Sequence, residues 1–140
     1  MNRPPLGYGM RHVALFVRDL PACERFYVEL LGMEVQWRPD DQNVYLTSGG
    51  DNLALHQAST DHARDEAAQR LDHIGFFVSA ASDVDDWFAW LTSRGVPMRT
   101  EPRTHRDGAR SFYCYDPDGT HLQIIHHPPV NAWEDLRGIA

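Results

Sequence analysis

The chain repeats itself. His12-Val13-Ala14-Leu15-Phe16-Val17 returns 61 residues later as His73-Ile74-Gly75-Phe76-Phe77-Val78, an apolar run opened by a histidine each time. A duplicated unit of about 55 residues buries too little surface to stand alone, so the two halves must pack together or pair across a dimer. β-Branched and aromatic residues dominate each run, which therefore reads as a strand. A helix follows each strand. The first spans about Leu20 to Leu31, with Asp19 as N-cap and Pro21 in the first turn; Cys23, Phe26 and Leu30 share one face and Gly32 is the stop. The second spans about Ala81 to Arg94, with Ser82-Asp83-Val84-Asp85 opening it as a capping box. Its buried stripe is Val84, Trp87, Phe88 and Leu91, and Gly95 stops it.

Three short strands follow each helix, at about 33–38, 42–47 and 52–57 in the first half and 97–100, 110–115 and 120–126 in the second. The predicted fold class is α+β: two βαβββ modules forming a curved mixed sheet around a cavity, with the helices outside. A single domain over 1–140 is expected, with module one at about 9–58, a polar linker at about 59–70, module two at about 71–127 and a tail at 128–140.

Composition removes several function classes. A formal charge of −7 argues against a phosphate-coating nucleic-acid binder. All thirteen basic residues are arginine, so Schiff-base chemistry and a P-loop lysine are excluded. No apolar run reaches the roughly 18 residues of a membrane span, and Met1-Asn2-Arg3-Pro4-Pro5 does not read as a signal peptide. Cys23 and Cys114 are too few for a disulfide scaffold, which favours the cytoplasm. Eight histidines stand out instead. His62, His126 and His127 read as surface or tail residues with no assigned role.

Strand alternation assigns the faces. Leu53 and Leu55 belong under the first helix, leaving Asn52, Ala54 and His56 opposite. Leu122 and Ile124 belong under the second, leaving His121, Gln123 and Ile125 opposite. Asn52, His56 and His121 are thus expected to line a polar pocket. His12 and His73, at equivalent points of the repeat, can face one cavity from both halves and start a metal site. The competing reading of each is a hydrogen-bonded structural histidine.

The segments His12 to Leu20, Phe26-Tyr27 through Leu31-Gly32-Met33, Leu71 to Phe76 and Tyr115-Asp116-Pro117-Asp118-Gly119 resemble the vicinal oxygen chelate superfamily. It includes glyoxalase I, methylmalonyl-CoA epimerase, extradiol ring-cleavage dioxygenases and the fosfomycin and bleomycin resistance proteins. The resemblance covers residues 11–127. It implies metal ligands from the first and last strands of each module: His12, His73 and Gln123, the last standing where family enzymes usually carry glutamate. Ala54, at the remaining last-strand position, cannot ligate; His56, two residues on, is the one candidate for a fourth ligand. The implied cofactor is a divalent metal, Fe(II) foremost, with Mn(II), Zn(II) or Ni(II) as alternatives.

His105, Phe112-Tyr113, Asp116 to Gly119 and Gln123 also follow the spacing of the extradiol dioxygenase signature, which assigns catalytic roles to His105 and Tyr113 as partners of a bound catecholate. The family's acid–base histidine falls at Asn52. The resemblance therefore implies a metalloenzyme acting on a small molecule with vicinal oxygens, most like a ring-cleavage dioxygenase. The alternatives are a glyoxalase- or epimerase-type lyase or isomerase, and a metal-free binder of the bleomycin-resistance type. For the binder, the acidic charge with Trp37, Tyr45, Trp87 and Trp90 would suit a cationic aromatic ligand. A homodimer is expected.

Overall fold

A computed structural model of the chain describes residues 10–59 and 71–129. Two compact units divide between Ala63 and Arg64. Most of the expected linker, with His62, and most of the tail lie outside the described residues.

The first unit runs β1 (His12–Val17), α1 (Leu20–Arg25), a π-helical turn (Phe26–Leu30), β2 (Glu34–Asp40), β3 (Asn43–Thr47) and β4 (Asn52–Gln57). Its sheet has the order β1-β4-β3-β2, with β1 parallel to β4 and the other neighbours antiparallel. The second unit repeats the plan with β5 (Ile74–Phe77), α2 (Ala81–Ser93), β6 (Arg103–Thr104), β7 (Arg110–Tyr115) and β8 (His121–His126). Its order is β5-β8-β7-β6, again with one parallel pair, β5 with β8. The eight strands thus form two mixed four-stranded sheets, each with its own helix, and βαβββ occurs twice.

The local signals act as their chemistry requires. Asp19 caps α1, its carboxylate accepting the Ala22 N–H at 3.0 Å, a contact of the kind worth about 1 kcal/mol. Gly32 and Gly95 end the helical segments at φ of 80° and 76°, a left-handed conformation that other residues adopt at a cost. The N-cap of α2 is Ala80 rather than Ser82. Its N–H donates to the Asp83 carboxylate at 2.9 Å, the half of a capping box that needs no cap side chain. The first helix also departs from a uniform α-helix: Leu31 N–H reaches back to Phe26 C=O at 3.2 Å, and the widened turn accommodates two adjacent buried aromatics, Phe26 and Tyr27.

The register follows the alternation. Leu53, Leu55, Leu122 and Ile124 are buried, α1 packs on β4, and α2 packs on β7 and β8. Phe112 is fully buried, edge-on to Phe88 of α2 with ring centroids 5.3 Å apart. Arg110 grips Asp85 of α2 with two hydrogen bonds, Nε at 2.8 Å and Nη2 at 2.6 Å, and this contact lowers the Asp85 pKa. Burial pushes the Cys114 thiol up to about 12, with the Asp116 charge adding to the effect, which makes it a packing residue rather than a nucleophile.

The turn before β8 is held from inside. Asp116 is 4% exposed and its Oδ1 accepts the N–H groups of Asp118 and Thr120, both at 2.8 Å. Asp116→Ala should destabilise the protein by about 1–3 kcal/mol, because two enclosed donors lose their acceptor. Urea unfolding checks this, and an unchanged midpoint would count against the turn as a structural staple.

At one edge of the first sheet β2 is exposed along its whole length, and it pairs with β3 through two register shifts, on either side of Trp37. Among the described residues, no helix is long and apolar enough to cross a membrane.

Candidate metal and substrate site

In the first unit, His12 and Asn52 are directly paired in the parallel β1/β4 ladder. His12 Nδ1 lies 2.6 Å from Asn52 Oδ1, and Asn52 Nδ2 donates to Gln36 Oε1 at 2.5 Å. Because the amide nitrogen is spent on Gln36, the oxygen faces His12. The imidazole then carries its proton on Nδ1 and its lone pair on Nε2. Asn52, where the family's acid–base histidine was expected, is the orienting partner of His12.

In the second unit the partner is a carboxylate. His73 Nδ1 lies 2.5 Å from Asp72 Oδ2, and the hydrogen bond from His73 holds the Asp72 pKa below the usual carboxylate range. An ionised carboxylate only accepts, so His73 too presents the Nε2 lone pair. A carboxylate or amide oxygen behind a ligating imidazole is the usual outer-shell arrangement of a metal-binding histidine.

Gln123 stands on the same face of the second sheet. It pairs with Gly75 on one side and Tyr113 on the other, and Tyr113 packs edge-on against His73 with ring centroids 5.2 Å apart. Gln123 Nε2 donates to Ser111 Oγ at 3.1 Å, and Ser111 Oγ lies 3.4 Å from His105 Nε2. With its nitrogen engaged, Gln123 keeps Oε1 as its free acceptor; that oxygen would lie 3.8 Å from a Cβ added at Gly75. His105, Ser111, Gln123, Tyr113 and His73 are thus continuous in this unit. His105 also lines a cavity of about 610 Å³ together with Arg103, Arg106 and Asp107.

Two expected pocket residues have other duties. His121 Nδ1 accepts from Arg99 Nη1 at 2.9 Å and its ring meets Tyr115 edge-on, so its nitrogen lone pair is already used. His56 pairs with Phe16 in the ladder, four residues along from the His12–Asn52 pair. At a strand rise of 3.3 Å that is about 13 Å. Side chains standing perpendicular to a sheet cannot close that gap around one ion, which removes His56 as a fourth ligand beside His12. Trp87 and Trp90 belong to α2, where Trp87 is half-buried and Trp90 lies under the Arg94 guanidinium at 4.1 Å.

Among the described residues no three His, Cys, Asp or Glu side chains cluster as metal ligands. The family-derived set contains only two such residues, His12 and His73, and its third member is an amide. Those three fit an ion chemically, as two imidazole Nε2 lone pairs and one amide oxygen whose nitrogen is held elsewhere. Sequence reasoning found the three donors and missed what orients them: Asn52, Gln36, Asp72 and Ser111. Asp72 is adjacent to His73 in the sequence, and Asn52 follows from pairing the first and last strands of the repeat.

Residues 9–124 match the family model described as Glyoxalase/Bleomycin resistance protein/Dioxygenase superfamily. Fosfomycin resistance protein FosX of Listeria monocytogenes serovar 1/2a is 29% identical over 126 residues, covering 84% of this chain and 88% of that protein. Among solved structures, lactoylglutathione lyase from Agrobacterium tumefaciens superposes with a TM-score of 0.71 at 23% identity, over 89% of this chain and 96% of that one. The crystal structure of the Listeria FosX gives a TM-score of 0.67 at 21% identity, over 84% and 92%.

Proposed function

Since the chain belongs to the glyoxalase/bleomycin resistance protein/dioxygenase superfamily, we propose that it is a metal-dependent enzyme acting on a small molecule, with His12, His73 and Gln123 as the protein ligands of a divalent ion. The observation that carries this reading is the matched state of the two histidines. Each has Nδ1 anchored on an oxygen acceptor and Nε2 left as a donor of electrons. An ion held there would supply Lewis acidity toward paired oxygens of the substrate. Tyr113, beside both His73 and Gln123, is in reach to orient a substrate oxygen through its phenol. His105, linked to Gln123 through Ser111, is placed to move a proton along that chain. The curated relative is named a fosfomycin resistance protein rather than a dioxygenase, which agrees with this reading.

Ring cleavage of a catechol is the second reading of the same residues. It draws on the link from His105 through Ser111 to Gln123, with Tyr113 alongside. Dioxygen uptake by anaerobically iron-loaded protein supplied with catechol separates the two readings. Uptake lost in Tyr113→Phe would favour ring cleavage, and no uptake with any catechol would favour the Lewis-acid reading. We carry the homodimer with this proposal; a 16 kDa species in light scattering would refute it.

Gln123→Glu tests the ligand set. The side chains are nearly isosteric, and the Ser111 hydroxyl, now accepting from the amide, can rotate to donate to the carboxylate. A charged third ligand should tighten Mn(II) or Fe(II) binding by about tenfold or more, the equivalent of about 1.4 kcal/mol. Equal or weaker affinity would mean that Gln123 never touches the ion.

A further inference from the structure

A guanidinium lies across the open face of the second sheet, beside the proposed ligands. Arg99 Nη1 donates to His121 Nδ1 at 2.9 Å, and Arg99 Cζ lies 5.7 Å from the centroid of the Tyr113 ring. Tyr113 in turn meets His73 edge-on and pairs with Gln123 in the ladder. The guanidinium charge also reaches Asp72: the hydrogen bond from His73 is the main cause of the lowered Asp72 pKa, and Arg99 adds to it.

Arg99 differs from the arginines that hold the fold. Arg38 is paired with Glu24 and Arg110 with Asp85, whereas Arg99 makes no ion pair with a carboxylate among the described residues. Asp72 is spent on His73 and does not close onto the guanidinium. The exposed Arg99 side chain is held instead by an imidazole acceptor and by the face of a phenol ring. A guanidinium has several N–H donors, and the bond to His121 uses one of them. An edge of the fork is therefore open to both oxygens of an acid group. Asp72 and the net charge of −7 oppose every further negative charge, so a singly charged carboxylate suits this fork better than a doubly charged phosphate.

We propose that Arg99 is a specificity-determining residue of the proposed site and selects a substrate whose carboxylate is separate from the oxygens that meet the ion. His121, which holds the guanidinium, stands two residues before Gln123 on the same face of β8, a spacing of about 7 Å. A linker of about two methylene groups between acid and chelating oxygens suits that span. The position of the chelating oxygens rests on the ligand set proposed above; the contact between Arg99 and a carboxylate needs no ion.

The full chain is tested without and with an ion. In EDTA, the Arg99 Nε–H resonance, assigned by its loss in Arg99→Lys, should shift saturably as acetate is added, at no higher concentration than inorganic phosphate requires. Absence of a saturable shift would overturn the proposal, and tighter phosphate binding would overturn its choice of a carboxylate. With Mn(II), calorimetry compares butanohydroxamate with the monohydroxamate of succinate, two chelators that differ in a methyl or carboxylate end. The wild type should bind the carboxylate-ended probe at least about tenfold tighter. Arg99→Met should abolish that preference and leave Mn(II) affinity unchanged, because Arg99 is exposed and donates to none of the proposed ligands. A preference that survives Arg99→Met would overturn the proposal and leave the ligand set standing. A wild type that holds no Mn(II) would refute the ligand set, and the carboxylate contact then stands or falls on the acetate shift.

Discussion

Purified His73→Ala protein is expected to hold Mn(II) or Fe(II) at least about a hundredfold more weakly than the wild type. Loss of an outer-shell partner alone costs about 10–100-fold in metal-site affinity, and here the proposed ligand itself is lost. His12→Ala should behave alike, since both histidines are held in the same tautomer. The fold should persist in both variants: His12 is exposed, and His73 precedes its strand rather than sitting in the core. Metal analysis after anaerobic purification, with circular dichroism beside it, reads the outcome. Near-stoichiometric ion in either variant would remove that histidine from the ligand set. Asn52→Ala and Asp72→Ala then ask whether the Nδ1 anchors matter, with an expected loss of about tenfold or more each.

Phe112→Ala should be the most damaging single change to stability. The ring is fully buried on the helix side of β7 and meets Phe88 of α2 edge-on. Truncation of such a side chain costs about 3–5 kcal/mol through lost transfer free energy and the cavity left behind. For a chain of this size that is a fall in Tm of about 10 °C or more. Tyr113, its neighbour, points to the other face and is only half-buried, so Tyr113→Phe should leave Tm within a few degrees. A small loss at 112 with a large one at 113 would mean that the register of β7 is shifted by one residue.

The faces of the last strands were readable in the sequence because a strand has a period of two and each last strand alternates leucine or isoleucine with polar or small residues. The repeat aligned the first strands of the two modules with each other, and in the structure each of them pairs with the last strand of its own module. Physical features with no periodic signature were not readable. The strand expected at 97–100 is reduced to a single bridge, Met98 with Cys114, and the ladder resumes only at Arg103. Pro97 and Pro102 flank this stretch, and each lacks an N–H and restricts the residue before it, so a continuous ladder cannot form. Arg99 and Thr100 instead both donate to Tyr113 C=O, at 2.8 and 3.2 Å.

The candidate site divides in the same way. Its three donors stand at positions that a duplicated motif marks. Their tautomers and orientations depend on Gln36 and Ser111, which lie 16 and 12 residues from the side chains they hold, a separation that no local pattern encodes. His56 shows the opposite failure. Two residues past a ligand position looked near, but four residues of extended chain separate it from the level of His12.

The irregular pairing of β2 bears on how the protein behaves in bulk solution. A seven-residue edge strand carrying Val35 and Trp37 is an invitation to cross-β stacking between molecules. The two register shifts twist that edge, and Pro39 deletes one of the N–H groups that an incoming strand would need. Sticky rings can therefore remain uncovered at high protein concentration without seeding fibres. The irregularities that look like flaws in the ladder act as a guard on its open rim.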